Sequence, residues 1–500
     1  MTAQHNATEI ENLEPKAVWR LFAGMAKVPR ESKHEEKIRA HVLAWAKEHG
    51  FPAREDRVGN IVIEVPATRG HENAPITVLQ GHLDMVCEKN AGTAHDFTKD
   101  PIKLILDSDP ESGEQIVRAD GTTLGADNGV GLALSMAAAM SPDVLHGPLE
   151  ILCTIDEEAG MTGAKVLEPK FFKGRRMLNL DSEEDDTIYI GCAGGCDSTL
   201  TSDFPADPVS TAEEVTRLTV DGLRGGHSGS NIHENRGNAI RLLVTTILRA
   251  ALPDVRLVSM SGGSKRNAIA REAHAILAGP DGFSSELKSM ADEIAKEATE
   301  ASGEPAISIR VETADRKEAG VALSVEDTST VLAMIAALPH GVLDMHPKVT
   351  GLVQTSNNVA KVSTVVSGDH TAVQIAVETL ARSSSDAWMS AVLQQIAAVG
   401  TLAGADVETG NEYPGWEPDV DSKLLAICGN TYRELFNEEP IVTAIHAGLE
   451  CGLIGKRMGG MDMVSFGPRI EGAHSPDERV WIASVEKVWK YLTAVLAKLA

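Results

Sequence analysis

Two histidines and several carboxylates stand in turns that follow apolar, strand-like runs, a pattern suited to holding divalent cations. His82 and Asp84 come just after the run Pro75 to Gln80, and Asp127 lies in GTTLGADNGVG before a helix-patterned segment. Glu157 and Glu158 follow Leu149 to Ile155, Asp181 follows Met177 to Leu180, and His474 lies in GPRIEGAHSPDE after the strand ending at Phe466. Ligand sites of open α/β sheets form outside the carboxyl ends of the strands, so these five turns are expected to converge on one cleft. Imidazole nitrogen and carboxylate oxygen suit zinc where thiolate is absent, and two ions about 3.5–4 Å apart need a shared ligand. The set then divides with Asp127 as the bridge, His82 and Asp181 on one ion, and Glu158 and His474 on the other. Glu157, beside a ligand, is left to take the proton of a water and pass it to a leaving amine. Asp84, two residues after His82, is expected to orient that imidazole and raise its basicity. A lone HLD triplet is commonly a capped turn and paired glutamates a solvated surface; the five-part order carries the inference.

The elements needed to position these residues are legible as alternating helix and strand. Helices are expected over Pro15 to Met25, Lys33 to His49 and Val130 to Met140, and strands over Asn60 to Val65 and the apolar runs named above. That order predicts an α/β fold, a sandwich with a mostly parallel sheet. DFPADPVST, Asp203 to Thr211, reads as a linker. Beyond it, strands and helices follow one order from Glu214 to Glu312 and a similar order from Val325 to Val399, which suggests an inserted α+β lid domain that is internally doubled. The expected domains are a discontinuous catalytic domain, 1–205 and 399–500, and a lid, 206–398. Its closing segment carries a helix at Ser422 to Phe436, a strand at Met461 to Phe466 and a helix at Ala483 to Leu499.

Composition narrows the partners. The 500 residues are 43% hydrophobic, enough for several domains at about 150 residues each. Lys and Arg number 46 against 72 Asp and Glu, a net charge of -26, so nucleic acid and anionic membranes are poor partners. No apolar run is long enough to cross a bilayer, and MTAQHNATEIENLEPKAVW has no apolar centre of the kind a secretory signal needs. The six cysteines lack the paired spacing of a disulfide framework or a structural zinc site, including Cys192 and Cys196, which fits reduced thiols and a cytoplasmic location.

GHLDMV, GTTLGADNGVG, TIDEEAGMTGA, NLDSEE and GPRIEGAHSP resemble the segments of the bacterial aminoacyl-histidine dipeptidases, within the larger superfamily of two-zinc peptidases. The likeness covers nearly the whole chain. It implies a catalytic sandwich with a lid, two Zn2+ per chain with Mn2+ or Co2+ as substitutes, and hydrolysis of Xaa-His dipeptides such as β-alanyl-histidine. His82, Asp127, Glu158, Asp181 and His474 stand where that family has its ligands, and Glu157 where it has its base. In the lid, His227 of RGGHSGSNIH resembles the residue that reaches the scissile carbonyl, where a donor stabilises an oxyanion. Asn267 of SKRNAIA and Arg382 of LARSSSD resemble residues that bind the substrate's main chain and terminal carboxylate, and a planar Arg fork suits the latter. The expected partner is therefore a short peptide with a free C-terminus. The relatives' pairing implies a homodimer, although a doubled lid would also complete the site within one chain. His446 and Glu450 of HAGLECG stay unassigned. Two other functions fit the same residues: a deacylase or aminopeptidase cutting another amide, and a catalytically silent peptide-binding protein. A panel of dipeptides against N-acetyl amino acids separates the first, and equilibrium binding of an uncleaved dipeptide the second.

Overall fold

The computed structural model describes residues 7–302, 304 and 306–500. The first six residues of the N-terminal stretch read above for a signal lie outside it. The chain divides into two compact units: Met1–Gly191 with Pro418–Ala444 and Leu449–Ala500, and Cys192–Glu417 with Ile445–Gly448.

The first unit is built on an eight-stranded sheet in the order Ala53–Glu55, Ile61–Val65, Leu149–Thr154, Thr77–His82, Arg176–Asn179, Asp462–Ser465, Thr187–Cys192, Ile441–Ile445. Leu149–Thr154, Thr77–His82, Arg176–Asn179 and Asp462–Ser465 run parallel to one another and form its centre. Their side chains are buried almost throughout, which explains why they read as continuous apolar runs instead of an alternation. Helix Ala126–Met140, apolar on nearly every face, packs on this sheet beneath helix Lys16–Met25. Its close approach depends on Gly131, where a Cβ would collide with the Leu180 carbonyl oxygen. A separate four-stranded antiparallel sheet, Ile470–Glu471, Arg479–Trp481, Gln115–Ala119, Leu104–Ser108, was not legible in the sequence. Its strands are short and mix charged with apolar residues.

The second unit is a nine-stranded sheet whose strand order is Ser308–Thr313, Glu214–Asp221, Ala273–Gly279, Arg256–Gly262, Val353–Val366, Ala372–Ser383, Gly194–Pro205, Asp406–Tyr413, with Gly341–Met345 added beside Val353–Val366. Glu214–Asp221, helix Ala239–Ala250, Arg256–Gly262, Ala273–Gly279, helix Phe283–Ser302 and Ser308–Thr313 make a βαββαβ unit with sheet order 4-1-3-2. Gly194–Pro205, helix Val325–Ala337, Val353–Val366, Ala372–Ser383, helix Asp386–Ala403 and Asp406–Tyr413 make a second unit with the same order. One copy is thus inserted between the first strand and first helix of the other, and the two meet strand to strand where Gly262 pairs with Val362.

The inserted unit reaches further than 206–398 at both ends. Gly194–Pro205 runs through the start of the expected linker and pairs on one side with Ala372–Ser383 and on the other with Asp406–Tyr413. Pro205 is accommodated as its last residue, where strand pairing ends. Cys153, Cys192, Cys196, Cys428 and Cys451 are buried, and none of them is in a disulfide.

Candidate metal centre

His82 ends its strand, Glu157 and Glu158 open the short helix Glu157–Gly160 after Leu149–Thr154, Asp181 follows Arg176–Asn179, and Asp127 lies in the first turn of Ala126–Met140. His474 is placed differently from the expectation. It lies in the hairpin loop between Ile470–Glu471 and Arg479–Trp481 of the small antiparallel sheet, with a left-handed backbone, φ 63°. The apolar strand ending near Phe466 does not itself present it.

The five side chains converge. His82 Nε2 is 3.0 Å from Asp127 Oδ1 and 3.2 Å from Asp181 Oδ1, while His474 Nε2 is 3.2 Å from Asp127 Oδ2 and 2.9 Å from Glu158 Oε2. The two oxygens of Asp127 therefore face two different histidine–carboxylate pairs. His82 Nδ1 lies 3.2 Å from the Asp84 carbonyl oxygen and 3.3 Å from Asp84 Oδ1, which directs Nε2 toward Asp127 and Asp181. The Asp84 carboxylate also accepts the Ser32 hydroxyl (2.7 Å) and the backbone N–H groups of Glu157 (3.0 Å) and Glu158 (3.2 Å). One buried side chain thus fixes both the imidazole and the turn that carries Glu157. No side-chain hydrogen bond of Glu157 is found among the described residues.

The electrostatics fit a cation. Burial raises Glu158 and Asp181, with Asp127 adding to it and the histidines opposing it. Burial raises Glu157 well above the carboxyl range, and Asp181, Glu450 and Glu158 add to it. Asp127 is held low: burial works against its charge, but hydrogen bonds from His474 and His82 prevail. Hydrogen bonds to Asp127 and Glu158 push His474 up to about 11. Burial opposes the charge of His82, yet Asp181, Asp127 and Asp84 hold it well above the usual range. Buried Glu158 Oε1 and Asp181 Oδ1 lack a hydrogen-bond donor, although Asp181 Oδ1 stands near His82 Nε2. Two imidazoles and three carboxylates with orphaned oxygens, packed this closely, have the donor chemistry of divalent-cation sites. His82, Asp127 and Glu158 also place one donor atom each within 4.8 Å of one another.

Within the second unit, His227 and Arg382 come together: Arg382 Nη2 is 3.4 Å from His227 Nε2, and Nη1 donates to the Tyr413 hydroxyl at 2.8 Å. Arg382 is buried, which its polar surroundings in the sequence did not suggest. Asn267 is exposed in a turn whose carbonyl accepts the Ser228 N–H at 2.9 Å, so it neighbours the His227 segment through its backbone. Burial and then Arg382 pull His227 down to about 4, keeping the imidazole neutral. His446 accepts or donates through Nε2 to the Ser356 hydroxyl at 2.7 Å.

Three residues of the first unit were missed or left without a role. Glu450, fully buried, accepts Gln80 Nε2 (2.8 Å) and the Thr154 hydroxyl, joining two strands that carry the site. Glu478 and Arg30 are buried ionisable groups bonded to the loops of Asp127 and Asp84. The SPDE run after His474 holds Glu478, but spacing alone does not tell a surface acid from one turned inward.

A convergent His and carboxylate set, three of its members at or just beyond the carboxyl ends of parallel strands, has the donor chemistry of a metallohydrolase site, and residues 78–498 match the model of Peptidase family M20/M25/M40. The chain belongs to this family and is a dipeptidase-class hydrolase of peptide bonds. It is 42% identical over 496 residues to the cytosol non-specific dipeptidase of Escherichia coli K12, covering 98% of this chain and 99% of that protein. The solved aminoacylhistidine dipeptidase from Vibrio alginolyticus is 41% identical, with a TM-score of 0.89 and 98% of each chain covered. The resemblance to the aminoacyl-histidine dipeptidases, read from the motifs, is borne out over nearly the full length. A tripeptidase from Staphylococcus aureus shares the fold at 15% identity, with a TM-score of 0.60 over 97% of this chain and 99% of that one. No helix among the described residues is long and apolar enough to cross a membrane.

Proposed function

We propose that the protein is a cytosolic two-zinc dipeptidase whose substrates include Xaa-His dipeptides. The observation that carries this reading is Asp127, whose two carboxylate oxygens each face a different histidine, itself paired with a separate carboxylate. His82, Asp127 and Asp181 would hold one ion, and Asp127, Glu158 and His474 the other. When bound, the ions supply Lewis-acid charge for the substrate carbonyl and acidify water. Glu157, without a side-chain hydrogen bond among the described residues and raised by burial, takes the proton of the attacking water and delivers it to the leaving amine. Asp84 keeps that turn and His82 in register through its hydrogen bonds.

The second unit serves as the lid. On the family resemblance, His227 stabilises the developing oxyanion, Asn267 binds the main chain and Arg382 the terminal carboxylate. A neutral His227 suits a hydrogen-bond donor, and a buried Arg382 fits a carboxylate fork. The same resemblance carries the homodimer. The relatives' names divide over substrate, one non-specific and one aminoacylhistidine, so a dipeptide panel is the test. Release of histidine from β-alanyl-histidine and other Xaa-His dipeptides is expected, with little action on N-acetyl amino acids. Cleavage confined to N-acetyl substrates would overturn the proposal.

A further inference from the structure

Asp127 and His474 are separated by 347 positions and carried by different loops, yet one side chain ties those loops together. Glu478 is 2% exposed and lies four residues after His474. Its Oε2 accepts the backbone N–H groups of Leu124 (2.7 Å) and Gly125 (2.9 Å), and its Oε1 those of Ala126 (2.7 Å) and Asp127 (3.2 Å). The segment from His474 to Glu478 is itself closed. Ser475 N–H and hydroxyl both donate to the Gly472 carbonyl, at 3.2 and 2.7 Å, and Glu478 N–H donates to the Ser475 carbonyl at 3.1 Å. The His474 loop is thus joined to the Asp127 turn through a short hydrogen-bonded path.

Arg30 bonds the same turn through a carbonyl. It is 3% exposed, its Nη1 donates to the carbonyls of Leu83 (3.2 Å) and Asp84 (3.0 Å), and its Nη2 donates to the carbonyl of Gly125. Gly125 thus gives its N–H to Glu478 and its carbonyl to Arg30. The guanidinium also lies close to Gly129, where a Cβ would stand 2.7 Å from Nη2. The His82–Asp84 turn, the Asp127 turn and the His474 loop are joined by two buried side chains whose hydrogen bonds go to the backbone of these loops.

We propose that Glu478 and Arg30 form a positioning clamp that presets the three loops, so that filling the His82 side and the His474 side of Asp127 is coupled. The proposal rests on the ligand set of the proposed function. Its chemistry is specific: four converging N–H donors demand two acceptor oxygens, which a carboxylate provides. A glutamine turns an NH2 group toward two of those donors, leaving them unpaired in a buried place, and an aspartate is one methylene short.

The test compares wild-type protein with Glu478→Gln. Zinc affinity and stoichiometry are measured by competition with a chromogenic chelator, the metal-free protein is melted by circular dichroism, and kcat and KM are taken at saturating zinc. The expected variant folds without metal, binds zinc about 10–100-fold more weakly, and fills its two positions in separated steps. Its kcat falls while its KM stays near that of the wild type. Wild-type zinc affinity and step pattern in a folded Glu478→Gln, with only the melting temperature lowered, would reduce Glu478 to a packing role and overturn the clamp. Should that variant not fold, Arg30→Lys replaces it: the charge stays but the fork spanning two turns is lost, so zinc affinity is expected to fall in the same way, and unchanged affinity overturns the proposal. Wild-type protein that binds no zinc at all would refute the ligand set beneath the clamp, a failure read from the wild-type titration alone.

Discussion

Replacing Glu157 with glutamine tests the assignment of the base against the assignment of the ligands. The backbone N–H of Glu157, not its side chain, bonds Asp84 at 3.0 Å, so Glu157→Gln leaves the Asp84 link to His82 intact. The five ligand side chains keep their mutual distances, and the volume of the turn hardly changes. What disappears is a proton acceptor. General-base catalysis contributes about 10²–10⁴ in rate, equivalent to about 2.7–5.4 kcal/mol of barrier. We therefore expect kcat to fall by about that factor, with zinc content equal to that of the wild type and KM within a few-fold. Elemental analysis and steady-state dipeptide hydrolysis on the same preparation give both numbers. A variant with kcat near the wild-type value would remove Glu157 as the base, and one that has lost an equivalent of zinc would make it a ligand.

Further outcomes follow from the same geometry. Asp127→Asn, which weakens one ligand facing both histidine pairs, is expected to lower the occupancy of both zinc positions in elemental analysis, whereas Asp181→Asn lowers one preferentially. Arg382→Lys keeps the charge but loses the fork beside Tyr413 and His227; KM for free dipeptides should rise about 10-fold or more, with little change for C-terminally amidated ones. His446 is held down to about 3 and His340 to about 4, in both cases mainly by burial. Folded-state values below the unfolded one, about 6.5, contribute stability that is present above that pH and lost as pH falls toward the folded values. Acid titration of His446→Asn by circular dichroism should show a shallower loss of stability between about pH 6.5 and 3 than the wild type.

The ligand turns were legible because parallel strands buried on both faces are continuous apolar runs, and each ends where a polar turn begins. His82, Glu158 and Asp181 follow such runs directly. His474 was found by residue type and motif, but its scaffold was not, since Ile470–Glu471 and Arg479–Trp481 are too short to show a period. The doubling of the second unit showed in the order of its elements, although the insertion of one copy within the other did not: strand pairing such as Gly194–Pro205 with Ala372–Ser383 joins residues far apart in the chain. The linker read at Asp203 to Thr211 begins too early: Pro and Asp favour turns, yet Asp203, Phe204 and Pro205 continue a paired strand. Glu478, Arg30 and Glu450 look like ordinary surface charges in sequence. Only the fold shows that each is buried and hydrogen-bonded to groups next to the proposed ligands, with Glu450 Oε1 left unpartnered.

The most direct test of the account is zinc content and dipeptide hydrolysis on one purified sample, before chelation, after it, and after zinc is returned. About two zinc ions per chain, with Xaa-His cleavage lost and restored in step with them, is the predicted result. Dipeptide cleavage that persists at full rate in metal-free protein would contradict it.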